Sequence, residues 1–331
     1  MDRLEKKAVK TLRQWQATLM RIPGVTAVGR GAGSEQKIVI YVEKLTPEIE
    51  AMIPRVLDDV PVEVRESGRI RILPLLLEEV LPMAVEPVRT SRIRPLKGGI
   101  SVGSIHITAG TLGCMAVDRM GRVVGVSNNH VLLARDWGTQ SGYPNGEVVQ
   151  PGPIDGGSLP DDLVGYAHLG VPVYTDRANL VDAAAFRPIV DIQPEVMGLE
   201  VRPGLREPEV GMTVWKSGRT TGTTSSQVAA VDATVNVEGW GTATFTDQII
   251  VEPAFGAGGD SGSLVVDEDG LPVGLLFAGS DRITAVNRAS NVERLLGVTL
   301  LTWRPGVPPP VPGMGWMAYM AVGAIISMAS M

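Results

Sequence analysis

Gly259-Asp260-Ser261-Gly262-Ser263 sets a serine in a Gly-rich loop directly before the apolar run Leu264-Val265-Val266. A nucleophilic serine needs an accessible hydroxyl and backbone N–H groups turned toward a developing oxyanion, and glycines permit the backbone angles such a loop requires. A base is available upstream. The chain has only three histidines, and His130 ends the apolar stretch Val126-Ser127-Asn128-Asn129-His130-Val131-Leu132. Between base and serine, Asp182 is the single carboxylate in Asn179-Leu180-Val181-Asp182-Ala183-Ala184-Ala185-Phe186. Burying it is costly unless something pairs with it. A histidine ring N–H would be such a partner, and the bond would fix the tautomer whose other nitrogen can deprotonate a serine. Judged singly, the three read equally well as a Gly/Ser turn, a structural histidine and a strand-end aspartate. Judged together, His130, Asp182 and Ser261 read as base, orienting acid and nucleophile.

In that order, with that loop, the chain resembles the chymotrypsin-like (trypsin-like) serine proteases. A second anchor is Val214-Trp215-Lys216-Ser217-Gly218-Arg219-Thr220-Thr221-Gly222, which looks like the segment that opens the second barrel in bacterial members of the family. Overall the likeness is greatest to the bacterial and plant trypsin-like group that includes the narrow-leaf proteins, and it covers about residues 96 to 300. The resemblance implies two six-stranded antiparallel β-barrels with the active site between them. It implies Ser261 as nucleophile, His130 as general base and then acid, Asp182 as the group orienting His130, and the backbone N–H groups of Gly259 and Ser261 as the oxyanion hole. By the same match Lys216 pairs with Asp260. Protein or peptide is the implied substrate, and no metal or organic cofactor is implied. Phe255 stands six residues before Ser261, where trypsin members carry a specificity aspartate, so cleavage after Lys or Arg is not supported.

Composition agrees with a mainly β chain. Its 331 residues hold 39 Gly and 24 Pro, which suits many short strands and turns. The second barrel is read as strands Gln227 to Val237, Gly241 to Val251, Gly262 to Val266 and Leu271 to Ala278, with a closing helix over 289 to 297. A net charge of -6 with no long basic block gives no reason to expect nucleic-acid binding. Cys114 has no partner and lies in an apolar run, so it reads as a buried strand residue. Asp267-Glu268-Asp269-Gly270 reads as a solvated hairpin turn, since three adjacent carboxylates do not supply the spaced ligands Ca²⁺ needs. His106 and His168 show no metal-ligand spacing.

Residues 1–81 read as a small α/β domain. Leu4, Ala8, Leu12, Trp15 and Leu19 give an amphipathic helix over 3 to 20, followed by strands at 25 to 28 and 37 to 42, a helix at 47 to 57 and a strand at 60 to 64. This domain is a partner module or a pro-segment. In the second case Arg89, Arg92, Arg94 and Lys97, in the linker expected over 82–99, would offer cleavage points if exposed. The protease region is expected over 100–302. A Pro-rich linker and apolar tail occupy 303–331, with Gly315 to Met331 uncharged; as a helix these 17 residues would span about 26 Å against a hydrocarbon core of about 30 Å. The tail is read as a membrane contact or as a packing surface for another copy of the chain or for the protease body. The N-terminus lacks the apolar core of a signal peptide, so the expected location is cytoplasmic, membrane-associated if residues 315–331 serve as an anchor. A different function class fits the same fold: a catalytically latent peptide-binding or scaffold module.

Overall fold

A computed structural model describes residues 3–33, 35–72, 87–133, 146–239 and 241–300. Two barrel-like antiparallel sheets dominate. The first runs Val298–Leu300, Cys114–Asp118, Val123–Ser127, Ala184–Pro188, Leu163–Gly170, Glu147–Val149, Ile100–Ser104, Gly110–Leu112. Its last strand and Cys114–Asp118 are consecutive in sequence, broken only at Gly113, so one continuous stretch serves both edges and the sheet curls into six strands. The eighth, Val298–Leu300, adds to the outside after the chain has left the second barrel. Val, Leu and Phe alternate inward along these strands, and Leu112, Met115, Val148, Val164 and Phe186 fill the interior.

The second sheet closes by direct pairing. Thr213–Gly218 bonds both Leu264–Asp267 and Gly222–Gly239, and Pro272–Gly279, Thr284–Arg288 and Gly241–Glu252 complete six strands. The expected mainly β, double-barrel class is found, and the helix expected over 289 to 297 is Ala289–Leu296, ended by Gly297.

The hairpin Gly222–Gly239/Gly241–Glu252 is far longer than a barrel needs, and its outer part carries the N-terminal unit. Val25–Gly31 pairs antiparallel with Gly222–Gly239 (Ala27 opposite Val235), followed by Lys37–Val42 and, parallel to it, Val60–Glu66. Helix Arg3–Leu19 buries Ala8, Leu12 and Leu19 against Val28, Ile38 and Ile40. The second helix stops early, at Pro47–Met52, because Pro54 follows and Val56–Leu57 turns into a strand beside Val60–Glu66. The N-terminal residues therefore do not stand apart from the second barrel: the two share one sheet.

The linker expected over 82–99 is corrected in its described part. Residues 87–99 carry a helical turn, Pro87–Thr90, and a strand, Leu96–Gly98, parallel to Ile192–Val196. Arg89 is 3% exposed, its guanidinium donating to Gly99 O (2.9 Å) and Ser217 Oγ (2.6 Å), and Arg94 donates to Gln150. Basic side chains in a Pro-rich stretch look like an exposed tether in sequence, but Arg89 instead satisfies carbonyl and hydroxyl oxygens between the barrels. Among the expected cleavage points only Arg92 keeps most of its side chain in solvent. The apolar tail lies outside the described residues, among which no helix is long and apolar enough to cross a membrane.

Candidate active site

Strand Val123–Ser127 of the first barrel ends in the helical turn Asn129–Leu132, which carries His130 inward from the barrel rim. Asp182 precedes the neighbouring strand Ala184–Pro188, which pairs with Val123–Ser127 through Ser127 opposite Ala184. That pairing sets the two side chains side by side. His130 Nδ1 lies 2.6 Å from Asp182 Oδ2, and His130 N–H donates to Oδ1 at 3.2 Å. A carboxylate only accepts, so the proton sits on Nδ1 and Nε2 is the basic nitrogen.

Asp182 is fully buried and held by more than the histidine. Its own N–H donates to Asn287 Oδ1 (3.0 Å), Asn287 Nδ2 donates to Gln248 Oε1 (2.7 Å), and Gln248 Nε2 donates to Leu180 O (2.9 Å). Asn128 Nδ2 donates to the Asp182 carbonyl (2.7 Å). The loop bearing Asp182 is thus pinned from both barrels by buried amides, Asn128 from the first and the bonded pair Asn287 and Gln248 from the second.

The Ser261 loop comes from the second barrel and is pressed against the first. Thr111 N–H donates to Ser261 O (2.7 Å), Thr111 Oγ1 donates to Gly259 O (2.8 Å), and Ser127 Oγ donates to Thr111 O (2.7 Å). Thr111 therefore ties the strand that leads into His130 to the loop that carries Ser261. The approach is so close that a Cβ at Gly262 would fall 2.1 Å from Ser127 Oγ and 2.3 Å from Thr111 O, and Gly262 has φ +94° besides. Gly259 has φ +90°, a conformation that only glycine adopts readily, and its carbonyl is anchored by Thr111. Ser261 Oγ donates to Phe277 O at 3.4 Å. Ser261 is 1% exposed, so the hydroxyl expected to be accessible is closed off from solvent.

Asp260 points away from His130 and meets Lys216, Nζ to Oδ2 at 3.0 Å, both side chains fully buried. The carboxylate also accepts from Thr220 N (2.8 Å), Thr221 N (3.2 Å), Thr221 Oγ1 (2.6 Å) and Ala257 N (3.0 Å). Nζ donates further to Thr221 Oγ1 and to Gly222 O (3.1 Å). Burial pushes the Lys216 ammonium below the ordinary lysine range, and the pull of Asp260 in the other direction is smaller. Beside this pair Arg219 bonds Asp155 of the first barrel, with Thr220 Oγ1 donating to Gly258 O (2.6 Å). Phe255 packs with Val214, Val228 and Val273 in the second barrel, a core residue offering no charge. His106 and His168 join no metal-binding cluster among the described residues. Asp267 Oδ1 accepts from Asp269 N and Leu271 N, closing the hairpin turn on itself.

Sequence reading missed Thr111, Asn287, Gln248 and Asp155. Each is a polar residue inside an apolar strand or beside a turn, and that is the only signal they carry.

The chain is similar in structure to bacterial serine proteases. Cellulomonas bogoriensis chymotrypsin matches with a TM-score of 0.44 at 16% identity, over 62% of this chain and 98% of the other. Thermobifida fusca protease A matches at 0.44 and 18%, over 63% and 99%, and a glutamic acid-specific serine protease at 0.46 and 20%, over 62% and 100%. No protein-family model and no curated sequence matches the chain.

Proposed function

We propose that this chain is a serine endopeptidase that hydrolyses peptide bonds in protein or peptide substrates through an acyl-enzyme. The observation that carries this reading is the buried 2.6 Å contact between His130 Nδ1 and Asp182, on the barrel face to which Thr111 ties the Ser261 loop. In the proposed reaction Ser261 Oγ attacks the scissile carbonyl carbon and its proton passes to His130 Nε2. Asp182 stabilises the imidazolium without taking its proton. The N–H groups of Gly259 and Ser261 hold the oxyanion, Gly259 being preset by its φ and by the Thr111 bond to its carbonyl. The tetrahedral adduct then collapses: the C–N bond breaks and the amine leaves with the proton from His130. Water repeats the sequence on the acyl ester, giving its proton to His130 and releasing the acid. Each step needs only the proton that His130 receives and returns, so the residues present close the cycle.

The test is mass-spectrometric detection of a fluorophosphonate adduct on Ser261 of the full chain and of its His130→Ala variant. An adduct at Ser261 that depends on His130 is expected. Absence of any adduct on protein shown to be folded, an Arg71→Pro variant of the full chain included, would move the reading to a non-enzymatic peptide-binding module.

A further inference from the structure

Strand Pro272–Gly279 has two edges, and they are used differently. One pairs with Thr284–Arg288 along residues 274–279. The other pairs with Leu264–Asp267 only as far as Leu275, opposite Leu264. Beyond that point the Ser261 loop itself runs along this edge: Leu276 N donates to Ser263 O (3.0 Å), Gly262 N to Leu276 O (2.8 Å) and Ser261 Oγ to Phe277 O (3.4 Å). The next two positions are taken by a segment from the N-terminal unit. Arg71–Ile72 lies antiparallel to them, Ile72 opposite Ala278 and Arg71 opposite Gly279. Strand residues advance about 3.4 Å each, so the Ile72 backbone stands one step from the residue that the nucleophile touches. From Arg71 to Ile72 the strand advances toward the Phe277 end of this edge.

The segment is well secured there. Glu238 N donates to Ile70 O (2.9 Å), Arg71 Nε donates to Glu238 Oε2 (3.3 Å), Ser280 Oγ donates to Ser67 O, and Arg282 pairs with Glu66 at 2.8 Å. Ile70 and Ile72 are buried in one cluster with Phe277, Ala278 and Ile283. An open strand edge recognises extended peptide by its backbone N–H and C=O groups, whatever the side chains. A peptide reaching Ser261 along this edge would need the positions that Arg71 and Ile72 fill.

We propose, resting on the protease reading, that Arg71–Ile72 holds the site closed in cis by occupying a strand edge built to accept extended peptide. The N-terminal unit is then a resident competitor, and substrate enters only as this two-residue strand lets go.

Arg71→Pro tests it in the full chain. Proline removes an N–H from a strand bracketed on both sides, and one ladder bond is worth up to about tenfold in population. A fluorescent peptide of residues 68–72, blocked at both ends, should bind the variant about tenfold more tightly than the unaltered protein. Arg71→Glu, which leaves the backbone intact and faces Glu238 with like charge, should shift binding in the same direction if Arg71→Pro proves misfolded by circular dichroism. Equal binding by variant and parent, or binding by neither, overturns the proposal. Fluorophosphonate labelling of the same samples separates the two readings: a binding difference without an adduct on Ser261 sinks the protease and keeps the occupied edge, whereas an adduct without a binding difference does the reverse.

Discussion

Replacing Lys216 by methionine should destabilise the protein by about 3 kcal/mol, and the structure says why the loss is no larger. Removing one partner of a buried ion pair usually costs about 3–5 kcal/mol, because the remaining charge is stranded in a poor dielectric. Here Asp260 keeps four donors after the ammonium has gone: Thr220 N and Thr221 N on Oδ1, Thr221 Oγ1 and Ala257 N on Oδ2. These place the cost at the low end of that range. Methionine is close in length and apolar, so the cavity contribution is small, and the Gly222 carbonyl loses one donor. For a chain of 331 residues, whose unfolding entropy is about 0.7 kcal/mol/K, about 3 kcal/mol corresponds to a fall of about 4 °C in thermal midpoint. Asp260 sits between Gly259 and Ser261, so a carboxylate freed from its cation also loosens the two N–H groups meant for the oxyanion, and fluorophosphonate labelling of Ser261 should slow at least about tenfold. Urea unfolding at pH 7, followed by tryptophan fluorescence, with labelling rates on the same samples, measures both. A Lys216→Met protein within about 1 kcal/mol of the parent and labelled at the same rate would refute the idea that the buried pair holds the loop.

The same structure sets three further outcomes. Asp182→Asn should lower peptide hydrolysis about 10⁴-fold with little change in fold: an asparagine that keeps its oxygen toward His130 N–H presents NH₂ to Nδ1 and moves the ring proton to Nε2, the wrong place for a base. Gly259→Ala should cost about 1–2 kcal/mol and slow labelling about a hundredfold to a thousandfold, because φ +90° is strained for any residue with a Cβ; unchanged kinetics would exclude Gly259 from the oxyanion hole. Cys114 should resist thiol reagents at pH 8 until the protein unfolds, as burial pushes its thiol up to about 12. With the folded value above the unfolded one, its contribution to stability is complete below about pH 9 and is lost as pH rises toward 12, which alkaline unfolding curves of Cys114→Ala would reveal.

The candidate triad was legible because its chemistry is local in each piece: a serine among glycines, a rare histidine at a strand end, a lone carboxylate in an apolar run. The strands around it follow from alternation and turn residues, and Asn129–Leu132 and Ala289–Leu296 lie where those patterns break. The partners that hold the pieces were not legible. Thr111 could have been any β-branched strand residue, and only the contact of two barrels shows that its N–H and hydroxyl meet Ser261 and Gly259. Asn287 and Gln248 are polar residues in apolar strands 39 positions apart, meaningless until the second barrel closes and stacks them behind Asp182.

The same division holds at the N-terminus. Period 3.6 in residues 3–20 and period 2 in the strands specify an α/β unit, because a helix or strand needs only its own side-chain spacing to present an apolar face. Which surface covers that face, and which sheet the strands extend, depends on pairings more than 200 residues apart in sequence, such as Ala27 with Val235. Backbone hydrogen bonds between strands carry no side-chain code, so neither the shared sheet nor the seating of Arg71–Ile72 beside the nucleophile is written in any local pattern. Residue identity and spacing were enough for the chemistry on offer; whether that chemistry stands open or closed is set by long-range strand pairing, which exists only once the chain has folded.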